Sequence, residues 1–360
     1  MVRVQDTSPA ALVSQWSWRT LYARKAMIEV NIPSPKYLQH DSGISSSAGV
    51  LDTLPLELLH LILELLDFQS LYNVVHGSRR CRVLVEALPA YRETSTHAPS
   101  VLAAMKRTKL LSTHSAACIH TALRSESCTE CNEYGPFLFL PISERCCLNC
   151  LRDDLSLRVS TIPKITKRFG ITRNDLTGVP IMQGIPGEYR IGFAVTHKTA
   201  PNLVSVKQAK MRATAIHGSE HAMQTYVTSR HTLQMDRYTQ RASNHSGTTA
   251  RLRRPTSPSR ILKAPNDPFC GMASTAIPSL RGTERPEHGL WCLGCHALFD
   301  RWVKYKIPDG NGGNGEDDSV RMRRLYRREC RAWSRSDFLI HIKECEGSSE
   351  QAYSNEAVRI

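Results

Sequence analysis

No stretch of this 360-residue chain holds eighteen consecutive apolar residues, which leaves no candidate for a membrane-spanning helix. The first residues lack the continuous apolar core of a secretion signal. No Gly-rich phosphate loop, nucleophile–base pair or paired-carboxylate motif is present, so the chain offers no support for an ordinary enzyme. Internal repeats are missing too, which excludes a propeller or a Leu-rich repeat array. Acidic residues are in deficit, 33 against 47 Lys and Arg, and the resulting formal charge of +14 favours an acidic partner. What the chain does have is an ordinary 41% of apolar residues, room for two or three domains, and twelve cysteines. Cysteines without a secretion signal point to metal ligands or free thiols and away from disulfides.

The densest apolar stretch begins at Leu54. Nine of the thirteen positions from Leu54 to Leu66 are Leu or Ile. Glu57, His60 and Glu64 fall three and four apart, so on a helix they make one narrow polar stripe. A helix apolar nearly all round must be covered on more than one side, and a segment of about forty residues is too short to do so. One face is therefore expected to pack locally and another to be kept for a partner. Thr53 is a candidate cap, and Pro55 fits the first turn. A second helix is expected from Leu71 to His76, ended by Gly77, and a third is capped by Ser78 and runs to Pro89.

The run Leu54-Pro55-x-Glu57-Leu58-Leu59, followed by Ile62, Leu65, Leu71 and Ser78-Arg79-Arg80, resembles an F-box. The resemblance implies a three-helix module that docks on the Skp adaptor of an SCF-type cullin–RING ubiquitin ligase. It assigns the docking contacts to Leu54, Pro55, Leu58, Ile62 and Leu71.

Two cysteine constellations follow. Cys128 and Cys131 are two residues apart, as are Cys147 and Cys150, and fifteen residues separate the pairs. Each Cys-x-x-Cys turn places two thiolates on one side of a tight loop, and two such knuckles complete a tetrahedral shell for zinc. Cys146 competes with Cys147, but only Cys147 keeps the two-residue gap. Phe137-Leu138-Phe139-Leu140 between the pairs reads as a short strand. In the second set, Cys292-x-x-Cys295 precedes Phe299, and Phe338 precedes His341 and Cys345. His341 and Cys345 are four apart and share a helix face. The order is similar to a single-helix zinc finger of the Cys-Cys-His-Cys type, with 38 residues between the two Phe. The insertion carries an acidic Gly/Asn loop and an Arg-rich helix with seven Arg against one Glu from Arg321 to Arg335. Two structural zinc ions are expected.

The rest of the chain divides by composition. Residues 1–50 read as a disordered leader, 51–95 as the F-box-like module and 96–157 as two helices plus the first Cys set. Residues 158–234 read as a helical region, with Ser205 capping a helix that Gly218 can split. Within it, Lys164–Phe169 followed by Asn174–Leu176 superficially looks like a helix-turn-helix, but Gly178 and Pro180 cut the second helix short. The Arg-, Ser-, Thr- and Pro-rich residues 235–285 read as a flexible linker, in which Arg251 to Arg254 form a basic cluster. Residues 286–347 hold the second ligand set, and 348–360 form a tail.

The fold class expected is mainly α with small zinc-stabilised β-containing knuckles, α+β overall, with disordered termini and linker. Together the F-box-like run, GPFLFLP between Cys pairs, Trp291 to Cys295 and the C-terminal FLIHIKEC look like filamentous-fungal F-box proteins with Cys-rich C-terminal parts. That resemblance implies a non-catalytic adaptor, cytoplasmic or nuclear, that joins a Skp adaptor and cullin to a client held by its C-terminal region. The competing expectation is a zinc-containing nucleic-acid-binding protein that grips phosphates with the Arg-rich helix. A RING-type ligase is excluded by spacing, because its eight ligands interleave in one compact segment.

Overall fold

The computed structural model describes residues 8–18, 27–29, 46–191, 193–244, 254–262, 269, 271–281, 285–305 and 318–351. Within these residues the fold is α+β: helices dominate and the strands form four small antiparallel groups.

Helix α1 (Pro9–Trp16) leads into β1 (Ser17–Trp18). The Leu-rich run forms α2 (Leu56–Leu65), followed by α3 (Phe68–Val75) and α4 (Arg79–Ala87). Two of these three helix starts are capped by a side chain. Asp67 accepts from Ser70 N, and Ser78 accepts from Cys81 N. At α2 the N-cap is Pro55, while the Thr53 hydroxyl turns back to Val50 O. Helix α3 starts three residues earlier than Leu71, because Asp67 caps it and Phe68 is drawn into the core. Helices α5 (Pro89–His97), α6 (Pro99–Arg107) and α7 (Ala116–Arg124) complete the layer around Leu71, Leu88, Met105, Ile119 and Leu123, all fully buried.

Strands β2 (Phe137–Phe139) and β3 (Glu144–Cys146) form a hairpin ahead of α8 (Leu148–Asp153). A second unit follows, built from β4 (Val159–Thr161), α9 (Ile162–Phe169), β5 (Ile181–Gln183), the hairpin β6 (Gly187–Ile191) and β7 (Phe193–His197), and β8 (Asn202–Ser205). Helix α10 (Val206–His217), capped by Ser205 and stopped by Gly218, and α11 (Glu220–Asn244) lie against it. Residues 158–234 are therefore not purely helical. The three-residue strand Ile181–Gln183 pairs with Asn202–Val204, well separated in the chain, and carries too few positions for a period to show. The helix-turn-helix likeness dissolves: Gly170 ends α9 in the left-handed region and Asn174–Leu176 is a single 3₁₀ turn.

Two other expectations are corrected. Residues 235–285 are not one flexible linker. Helix α11 runs on to Asn244, Pro258–Leu262 is a short helix α12, and Ser274–Ala276 is a strand, β9, in the order β3-β2-β9. Met272, Ala273, Ile277 and Leu280 join the main core. Of the basic cluster, only Arg254 lies within the described residues. The leader is likewise structured from residue 8 to 18, and Ile28 is 3% exposed and hydrogen-bonded through its backbone N–H to Ser274 O.

The C-terminal part contains β10 (Leu290–Cys292), α13 (Leu293–Tyr305), α14 (Asp318–Cys330), β11 (Ala332–Trp333), α15 (Arg335–Glu344) and α16 (Glu346–Gln351). Strand β10 is flanked by β11 and, on its other side, by β1, with Ser17 paired to Cys292 and Trp18 to Trp291. The first residues of the expected tail thus belong to this domain, and Ser348 is buried with its hydroxyl donating to Ile342 O.

Candidate metal centres and the exposed apolar face

The two predicted ligand sets each converge. In both, one donor atom from each of the four residues lies within 4.8 Å of the other three. Four ligands at a Zn–S distance of ~2.3 Å place tetrahedral sulfurs about 3.8 Å apart. The observed contacts match that size: 3.6 Å between Cys131 and Cys147 Sγ, and 3.6 Å between Cys292 and Cys345 Sγ. Both groups can hold a metal ion.

The first centre is built from two kinds of turn. After Cys128 the chain folds back so that Asn132 N donates to Cys128 O and Cys128 N donates to Glu133 O, with Asn132 in the left-handed region at φ 64°. The second pair uses a helix start: Cys147 is the N-cap of α8, and its sulfur accepts from Cys150 N at 3.3 Å. A helix N-terminus favours the thiolate. Cys147, not Cys146, joins the four-residue cluster: Cys146 closes β3 opposite Phe137, and the next residue turns toward the site.

Thiol ionisation shows why a cation suits the cluster. The hydrogen bond from Cys147, aided by backbone donors, pulls Cys128 down to about 5. The same bond, with burial, pushes Cys147 up, and burial followed by the charge of Cys128 pushes Cys150 up. One thiolate forms easily and makes the others harder to ionise, a conflict that a divalent cation removes.

The second centre joins both ends of the chain. Cys292 ends β10, Cys295 lies in the first turn of α13, His341 is on α15 and Cys345 caps its end. His341 Nε2 lies 3.3 Å from Cys295 Sγ. Hydrogen bonds from Cys292 and Cys295 pull Cys345 down. At Cys292 the bond from Cys295 lowers, but Cys345 and burial outweigh it and hold the thiol at about 12. Leu12 and Trp16 of α1 pack on this centre together with Phe338 and Ile342. The sequence held no sign of that contact, since two paired residues in β1 carry no period.

The Arg-rich helix α14 lies between the centres. Arg327 pairs with Asp153 at 3.4 Å and Arg331 with Glu133 at 3.2 Å, both carboxylates belonging to the first knuckle region. Arg331 also lies 3.9 Å over the Trp333 ring, which stacks on His341 at 4.3 Å. Glu329, 1% exposed, faces His296 Nδ1 at 2.9 Å. Arg327 and Glu329 of this helix, with Arg331 just beyond its end, therefore tie the two centres together. The long insertion between the two Phe supplies a brace.

Of the five residues assigned to docking, four are exposed: Leu54, Pro55, Leu58 and Ile62. Leu71 is a correction. It is 0% exposed at the centre of the three-helix core, where no partner reaches it. Leu56, Leu61 and Leu65 extend the exposed set, at 48, 60 and 76%. The opposite side of α2 buries Leu59 and Leu63. Comparison of the chain with protein-family models, with curated proteins and with solved structures finds no match in any of the three.

Proposed function

We propose that this chain is a substrate adaptor of an SCF-type ubiquitin ligase, docking on the Skp adaptor through the outward face of α2. The observation that carries the reading is that face itself. Leu58, Leu61, Ile62 and Leu65 fall three and four apart on one exposed apolar face of this short helix, with exposed Leu54 just ahead of it, while Leu59 and Leu63 anchor the helix from behind. Strips of this kind mark interaction sites. The C-terminal domains hold a client, and the adaptor supplies proximity to the cullin-bound machinery with no bond-making residue of its own.

Zinc fills both centres in this reading. Sulfur-dominated tetrahedral donor sets select zinc among the common divalent ions, and four protein ligands leave no open position for a reacting water. The metal is therefore structural. Co-purification with the Skp adaptor tests the docking surface. Leu58→Asp/Ile62→Asp changes only exposed positions and is expected to abolish retention with the fold intact. Undiminished retention by that variant overturns the assignment.

A further inference from the structure

A second feature, independent of the adaptor reading, lies along helix α11. Helix α11 buries only Met223 and Val227, both in its first third. From Thr228 onward it is polar almost all round, yet it continues to Asn244. A helix with no apolar stripe gains little from the core, so its outer half needs another use. That half lines a groove of about 700 Å³, opposite Arg254, Pro255 and Thr256 and beside Lys167. The groove continues into an adjoining recess of about 390 Å³ that shares Lys167 and Gln234 and adds Arg230 and His231.

The charge along this groove has one sign. Lys167, Arg230, Arg237, Arg241 and Arg254 line it, and no carboxylate does among the described residues. It contrasts with the recess beside α14, where Glu133, Asp153 and Asp154 share the wall with the arginines, Asp153 pairing with Arg327 and Glu133 with Arg331. Arg230, Arg237 and Arg241 follow one face of α11 over about 16 Å at 1.5 Å per residue. Tyr238 stands among them in the wall, and His231 Nε2 is buried with no hydrogen-bond partner.

We propose that this groove binds a single-stranded nucleic acid. A row of cations tracks successive phosphates, and an aromatic side chain in the same wall offers a platform for a base. The recessed shape favours one strand: a duplex is read by a protruding element that enters a groove of ~12 Å, the converse geometry. An acidic peptide needs no aromatic platform, and its carboxylates are not spaced along a continuous polyanion.

The test is fluorescence anisotropy of the zinc-loaded full chain with a labelled single-stranded 12-mer. Four neutralised phosphates predict a fall in affinity of roughly fifty-fold between about 50 and about 200 mM salt. Arg237→Glu/Arg241→Glu, both exposed, is expected to lose more than tenfold at the lower salt, and Arg254→Glu on the opposite wall several-fold. Circular dichroism and zinc content verify that these variants fold. Arg323→Glu/Arg324→Glu on α14 is expected to bind within twofold of the parent. The proposal is overturned by absence of binding at low salt, by unchanged binding of the α11 variants, by loss confined to the α14 variant, or by tighter binding of a same-length duplex or of polyglutamate.

Discussion

Gly294 and Gly347 meet back to back at the second centre: a Cβ placed on Gly347 would lie 2.1 Å from the Gly294 carbonyl oxygen. Gly294 stands between the candidate ligands Cys292 and Cys295, and a Cβ there would meet Ser348 N at 2.7 Å and Cys345 Sγ at 3.0 Å. The backbones of α13 and α16 touch because neither residue has a side chain. Neither backbone can yield without moving a ligand. Gly294→Ala is therefore expected to lose one metal equivalent per chain while the first centre keeps its own. Elemental analysis of the purified variant checks this, and two retained equivalents would remove the constraint.

Metal content follows the same division. The parent is expected to carry two zinc per chain, and Cys147→Ala one, because Cys147 both belongs to the candidate donor set and caps α8. Structural zinc contributes on the order of 10 kcal/mol toward folding of small Cys-rich units. Chelation is thus expected to unfold the segments around both centres, seen as loss of amide protection in 126–154, 288–305 and 318–348.

The N-terminal segment is expected to behave as part of the C-terminal domain. Trp16 is 6% exposed against Phe338 and Ile342, so Trp16→Ala should cost about 3–5 kcal/mol of that domain's stability. Removal of residues 1–18 should also bare the edge of β10 and speed zinc release from the second centre alone. Equal release rates with and without the segment would contradict the packing.

Arg145, 1% exposed, is the most deeply buried cation among the described residues, and its hydrogen bonds go to backbone carbonyls. Its guanidinium donates to the carbonyls of Ala122, Gly135 and Pro278, so it ties α7, the first knuckle and the strand segment 271–281 together. Burial pulls it down to about 10, still charged at neutral pH. Arg145→Met leaves three buried acceptors unmet, at about 1–3 kcal/mol each before relaxation. Thermal unfolding should show a large loss, only partly restored by Arg145→Lys, which lacks the planar fork.

Acid sensitivity is expected at Glu93, which joins α5 to α7. Burial raises its pKa, but hydrogen bonds from Arg124 and His120 outweigh this and hold it below the usual carboxylate value. A pKa lowered by folding stabilises fully above the ordinary value of 4.5 and is lost as pH falls through the lowered one. Glu93→Gln should therefore be less stable than the parent near neutral pH, and the gap should narrow as the pH falls below 4.5 and through the lowered pKa. Urea unfolding across that range measures it, and a gap independent of pH would contradict the linkage.

What could be read in the sequence was local. The Leu/Ile density from Leu54 to Leu66 and the two-residue cysteine gaps act within one turn or one helix, and they located α2 and both ligand sets. What could not be read depends on distant pairing. Ser17 and Trp18 find Cys292 and Trp291, and Ser274 to Ala276 find Phe139 to Phe137, through contacts with no local period. The Ser-, Thr- and Pro-rich composition around residue 274 looks like a linker because its burial comes from the strand beside it. Leu71 was misassigned for a related reason. In a helix with apolar residues on several faces, only the packing decides which side is inward, and Phe68, Leu71 and Val75 are the side that Asp67 turns to the core.

The outward strip of α2 carries the central claim, and titration calorimetry of the purified chain with a Skp adaptor tests it most directly. The account predicts saturable one-to-one binding with a negative heat-capacity change, as apolar burial requires. It predicts that Leu58→Asp/Ile62→Asp binds at least a hundredfold more weakly with an unchanged unfolding transition. Leu71→Ala should instead lower stability by about 2–5 kcal/mol. A parent chain that shows no heat of binding, or a double variant that binds as the parent does, would contradict it.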